Sequence, residues 1–148
     1  AAGEPLPWRQ RDIRFSGHTI ECRVVAEDPL TMLPSPGTIS RYHQPGGIGV
    51  RVEAGVAENS TVPIFYDSLV AKVVVHGRTR DEAVHRMRSA LAEYCIEGIK
   101  TNIPLHQRIL RDREFLVGKV HTRYLDKFLG RPKDSRSRST SRSKQGTD

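Results

Sequence analysis

One run, LVAKVVVHG at residues 69–77, constrains the fold more than any other stretch of this chain. Its apolar residues are mostly β-branched, and branched side chains lose rotamer freedom in a helix but pack well on a pleated surface. The longer segment 66–77 therefore predicts a well-buried strand. Immediately afterwards the hydrophobic period changes. Ala83, Val84, Met87, Ala90, Leu91 and Tyr94 recur at helical spacing. Thr79 is placed to cap that helix, and Asp81 and Glu82 suit its positive end. Gly98 is placed as the left-handed residue after the helix.

The rest of the pattern follows from these two elements. Residues 13–76 read as strands and turns. TISRYH at 38–43 roughly alternates, and in IGVRVEAG at 48–55 Val50 and Val52 share one face with Arg51 and Glu53 on the other. Pro and Gly cluster in the breaks, as PSPG at 34–37 and PGGIG at 45–49. A second helix is predicted after Thr101, with Pro104 in its first turn and Leu105, Ile109 and Leu110 facing inward. A short third one holds Tyr124, Leu125, Phe128 and Leu129, and Gly130 stops it. Strands first and helices later indicate an α+β domain.

That domain is predicted to occupy residues 1–130. Pro5 and Pro7 mark residues 1–12 as a lead-in. Residues 131–148, RPKDSRSRSTSRSKQGTD, contain no large apolar residue and cannot offset their ordering entropy by burial. They are expected to form a disordered basic tail. Of the net charge of +7, this tail supplies +4, from six Lys and Arg against two Asp. The domain body is thus only mildly basic, which argues against a surface that tracks a nucleic-acid backbone. The tail itself would be the place for such binding. No apolar run is long enough to cross a bilayer, and the first residues lack the pattern of a secretory signal. A cytoplasmic location is the expectation, and the absence of an initial Met leaves a fragment open.

Most motifs of catalytic chemistry find no support. PGGIGVR at 45–51 lacks the Lys-Ser/Thr ending of a phosphate loop and precedes a strand rather than a helix. A turn with positive φ at Gly46, Gly47 or Gly49 is the simpler reading. There is no G-x-S-x-G elbow. The six histidines never fall four apart, and Cys22 and Cys95 sit in apolar patterns, which predicts buried free thiols and no metal site. GHTIECRVVAEDP at 17–29 is different. On a strand, Glu21 and Arg23 share a face, while Ile20, Cys22 and Val24 point the other way. Arg23 is either half of a weak surface pair with Glu21 or a rigidly mounted fork for a carboxylate-like anion. Spacing alone does not choose.

GHTIECRVVAEDP, PSPGTI, PGGIGVRVEAG, YDSLVAKVVVHGRTRDEAVHRM and IEGIKTNIPL occur in order and together resemble the C-terminal domain of biotin carboxylase. The resemblance covers residues 1–130. It implies a β-rich domain of rudimentary hybrid-barrel type that completes the site of a larger ligase. That enzyme makes carboxyphosphate from ATP and bicarbonate, then carboxylates biotin on a carrier protein. By the same resemblance Arg23, of the E-C-R motif, contacts bicarbonate and biotin. Asp67, of the Y-D-S motif, lies near that pocket, and Glu21 is a neighbour able to fix the Arg23 rotamer. Ile48 and Arg51, of the G-V-R region, match a dimer contact. ATP and Mg are expected to bind outside this chain, on the N-terminal and ATP-grasp domains that act as its partners. The parent enzyme resembles the biotin carboxylase subunit of bacterial acetyl-CoA carboxylase, in fatty acid biosynthesis, or a related carboxylase. Two departures stand out: Val25 replaces the family's usual Asn, and the Ser-Arg tail is extra. The rival expectation is a non-catalytic interaction module that keeps the fold and the dimer face.

Overall fold

The structure is a computed structural model that describes residues 2–65 and 67–130. Residues 2–19 are exposed, with a single 3-10 turn at Gln10–Asp12. The strands are β1 His18–Val25, β2 Gly37–Thr38, β3 Arg41–His43, β4 Val50–Ala54, β5 Thr61–Val62, β6 Leu69–Gly77 and β7 Cys95–Glu97. The helices are α1 Arg80–Glu93, α2 Ile103–Ile109, α3 Arg113–Leu116 and α4 Tyr124–Phe128. The expected disordered tail, residues 131–148, lies outside the described residues.

The β-branched run forms β6, the central strand of an antiparallel sheet in the order β1-β6-β4. Its inner face supplies the fully buried Val73 and Val75, and β1 adds Val24 beside them. Helix α1 covers this face with Ala83, Val84, Met87, Ala90 and Leu91, all buried. Thr79 caps it as expected, its Oγ1 accepting the Glu82 N–H at 3.2 Å. Gly77 lets the helix approach the sheet: a Cβ there would stand 2.6 Å from the Ala83 nitrogen. Together these make the α+β architecture that the change of period predicts.

Near the end of β1 the register shifts. Val24 pairs with Ala71 but Val25 with Leu69. Val70 is the extra residue of a bulge, so Val70 and Ala71 are both buried and the alternation changes phase there. Two further open sheets, β2-β5 and β3-β7, lie beside the first. TISRYH is split between them. The Ile39 amide donates to Ser60 O at 2.9 Å, whereas the Ser40 amide donates to Glu97 O at 2.9 Å. At that corner Ile39 enters the core completely.

Two expectations need correction. Gly98 does not end the helix: α1 stops at Glu93, and Cys95–Glu97 pairs with β3. The positive φ of Gly98, +93°, instead serves a close approach, since a Cβ there would collide with Thr38 O. Cys95 is half-buried rather than buried, whereas Cys22 is buried. Helix α3 is an addition that the sequence pattern does not announce, because one turn shows no period; Asp112 creates it by accepting the amides of Glu114 and Phe115. At 45–49, Gly47 and Gly49 have positive φ and Gly46 does not.

Gly98→Ala is expected to destabilise the domain by about 2 kcal/mol or more, through positive φ and backbone overlap. Gly46→Ala, with nothing within 4 Å of the added carbon, should change stability by less than about 1 kcal/mol. Denaturant midpoints of the two variants check this, and equal midpoints would contradict it.

Candidate functional site

The face of the β1-β6-β4 sheet turned away from α1 carries the charges. Register places Arg23, Lys72 and Glu53 in one row across the strands, and Glu21, Val74 and Arg51 in the next. Arg23 and Lys72 are thus directly opposed cations, which repel unless anions stand nearby. Within β4, Arg51 pairs with Glu53 at 3.1 Å.

Arg23 reaches along the sheet to the turn before β6. Its Nη2 lies 3.7 Å from Asp67 Oδ2. The other Asp67 oxygen, Oδ1, accepts the Leu69 amide at 3.1 Å, so the carboxylate is oriented by its own backbone. Both side chains are more than half exposed, 55% and 71%. A pair this open contributes only about 0–1 kcal/mol. It can direct Arg23, and it leaves other guanidinium donors free of ion pairs among the described residues.

The main chain beneath Arg23 is held far more firmly. Asn102 Nδ2 and His106 Nε2 both donate to the Arg23 carbonyl oxygen, at 3.0 and 2.9 Å. The Val25 amide donates to Asn102 Oδ1 at 3.0 Å, and the Asn102 amide returns a bond to Val25 O at 3.2 Å. Asn102 is buried and stands at the N-cap of α2, yet its side chain makes no cap bond. Both ends of its amide go to β1. Burial lowers the His106 pKa against the opposing effect of its bond to Arg23 O. The ring is therefore neutral at neutral pH, and its Nε2 carries the proton because a carbonyl can only accept.

The neighbouring loops are fastened in the same region. Asp28 Oδ1 accepts the amides of Leu30 and Thr31 at 2.8 and 3.1 Å, and its Oδ2 meets Lys100 Nζ at 2.6 Å. The Lys100 amide donates to Ser35 Oγ at 3.0 Å. Ser68 Oγ donates to Glu27 Oε1 at 3.2 Å, and the Ala26 amide donates to Ser68 O at 2.7 Å. GHTIECRVVAEDP, PSPG, IEGIKTN and the pair Asp67 and Ser68 thus meet around the end of β1.

The structure brings Arg23 and Asp67 together. It gives Glu21 no ion pair among the described residues, and the carboxylate that stands beside the Arg23 guanidinium is that of Asp67. Ile48 stands 88% exposed in the turn before β4, near Arg51 but apart from Arg23. Reasoning from the sequence missed Lys72, Asn102 and His106. Lys72 had a signal, as the lone charge in a buried run. Asn102 had a weaker one, as a helix-capping residue type; His106 had none.

The family model for the biotin carboxylase C-terminal domain matches residues 21–127. A biotin carboxylase of Haemophilus influenzae is 52% identical over 130 residues, which is 88% of this chain and 29% of that protein. A biotin carboxylase of Pseudomonas aeruginosa is 50% identical over 133 residues, 90% of this chain and 30% of that protein. The biotin carboxylase domain dimer of Hydrogenobacter thermophilus 2-oxoglutarate carboxylase, solved with MgADP, ADP and bicarbonate, has a TM-score of 0.83 and 50% identity. That match covers 85% of this chain and 28% of the solved one. The chain spans less than a third of the length of these relatives.

The Lys100 ammonium, then the Leu30 and Thr31 amides, hold the Asp28 carboxyl down at about 2, below its ordinary 3.8. A depressed carboxyl pKa stabilises the fold above the unfolded value, and this contribution is lost as pH falls through the folded one. Lys100→Ala is expected to raise the Asp28 pKa and move acid unfolding to higher pH. Carboxyl NMR titration with acid-unfolding curves reads both, and an unmoved Asp28 titration would contradict the assignment.

Proposed function

The chain belongs to the family of biotin carboxylase C-terminal domains, and from that premise we propose that it forms one wall of the site where a biotin carboxylase carboxylates biotin. Bicarbonate, activated with ATP and Mg held by the other domains, is the carboxyl source, and biotin arrives on a carrier protein. Arg23 is the residue of this chain that faces the reacting groups. Its planar fork donates to bicarbonate and to the biotin ureido oxygen, where negative charge develops as the ureido nitrogen loses its proton. Asp67 directs the guanidinium between ligands, and Lys72 adds positive potential beside it.

What supports this reading is the contrast at Arg23. Its backbone carbonyl accepts two donors, while its side chain stays open with one weak ion pair. A rigid mount with an available fork is what electrostatic preorganisation requires. An arginine that served only the fold would not need both.

The remaining assignments belong to the same proposal. Residues 1–130 form the domain, whose three open sheets share one core through Ile39 and Val62 and curl as a rudimentary hybrid barrel. The parent enzyme is a cytoplasmic carboxylase subunit of the acetyl-CoA carboxylase type, serving fatty acid biosynthesis. It pairs as a homodimer through a face that includes the exposed Ile48 and Arg51.

In the complete enzyme, Arg23→Ala is expected to lower biotin carboxylation by about 10²–10³-fold, the cost of removing a preorganised donor. The KM for ATP should stay within about twofold, because ATP is held elsewhere. Steady-state kinetics decide it, and an unchanged carboxylation rate would return Arg23 to a surface role. The isolated chain is expected to show no bicarbonate-dependent ATP hydrolysis. Detectable hydrolysis by the pure chain would contradict the one-wall reading.

A further inference from the structure

We propose that Asn102, assisted by His106, is a positioning residue for Arg23, acting through the backbone of β1; this inference rests on the reading of Arg23 given above. In the order β1-β6-β4, strand β1 is an edge. Edge strands carry main-chain groups that no neighbouring strand satisfies, so they fray and shift more readily than central ones. A catalytic arginine on such a strand would inherit that freedom.

Asn102 removes it at the place where the arginine sits. Its amide accepts from Val25 N and donates to Arg23 O, and its own N–H donates to Val25 O. One residue therefore supplies hydrogen bonds that an adjacent strand would otherwise make. His106, one turn further along α2, donates to the second lone pair of the same Arg23 carbonyl. The bulge at Val70 lies next to this point, and a bulge changes the local twist and the direction in which a side chain leaves the strand. The clamp fixes the backbone direction set there.

Two features separate this arrangement from ordinary helix docking. Asn102 occupies an N-cap yet caps nothing with its side chain, giving up the usual stabilisation of that position. A second amide of the same helix, on Gln107, does dock α2 in the ordinary way: its Nε2 donates to Leu91 O on α1 at 2.9 Å. Gln107 is thus an internal control, a tertiary side-chain-to-backbone bond from the same helix that does not touch β1.

The test compares Asn102→Ala with Gln107→Ala in the complete enzyme, each alone and in an Arg23→Ala background. Misplacing a reacting group by a fraction of an ångström costs rate rather than nucleotide affinity, so Asn102→Ala should lower kcat for biotin carboxylation about tenfold or more with the KM for ATP unchanged. Gln107→Ala should leave kcat within about twofold, and in the Arg23→Ala background Asn102→Ala should add less than about twofold, because the two residues act as one unit. The inference is overturned if Asn102→Ala and Gln107→Ala lower kcat equally, or if Asn102→Ala costs as much without Arg23 as with it. Should Asn102→Ala not fold, Asn102→Asp keeps the acceptor for Val25 N–H and removes the donor to Arg23 O, and the same comparisons apply. The two readings fail differently. Full activity of Arg23→Ala sinks both, whereas loss of activity in Arg23→Ala with full activity in Asn102→Ala sinks this one alone.

Discussion

The antiparallel pairing of β1 with β6 is the constraint on which the rest of the structure depends. It is driven from the inner face, where Val24, Val73 and Val75 are fully buried against α1. Each such side chain contributes about 1.5–3 kcal/mol by leaving water. The Arg23–Asp67 pair contributes about 0–1 kcal/mol on the outer face. The apolar side therefore decides the register, and the register places the charges. A slip of one residue would turn Arg23 into the core and bring Val24 to the surface.

From that pairing the site is assembled in two layers of different stiffness. The backbone layer is tight. Asn102 and His106 hold the Arg23 carbonyl, Asp28 and Lys100 fasten the following loop, and Ser68 ties Glu27 to the head of β6. The side-chain layer is loose, with Arg23 and Asp67 both open to solvent. This division suits a residue that exchanges partners as ligands come and go. A fixed base keeps the position of the positive charge defined, and the weak internal partner costs little to release. The neighbouring Lys72 deepens the local positive potential, so an anion drawn to Arg23 would also relieve the repulsion between the two cations.

Much of this is legible in the sequence. The change from β-branched run to helical period gives β6 and α1, because both signals extend over nine or more residues. The alternation in IECRV gives the face of Arg23, since strand geometry leaves no other choice. The short elements are not legible. Helix α3 rests on one cap residue, and the end of α1 is misplaced by pattern alone because Cys95–Glu97 continues an apolar run that suits either a helix or a strand. Arg23 and Asp67 stand out because they occur in motifs, but their juxtaposition depends on the turn into β6. Asn102 escapes notice for a plainer reason. Its residue type at a helix start has a ready local explanation, and only the tertiary structure reveals that its amide is used on β1 instead.

The most direct test of the account is the position of Arg23 in a crystal structure of the complete enzyme with bicarbonate and biotin bound. The Arg23 carbonyl is expected to keep its bonds to Asn102 and His106 while the guanidinium donates to a bound ligand. A guanidinium still paired with Asp67, with both ligands beyond its reach, would contradict it.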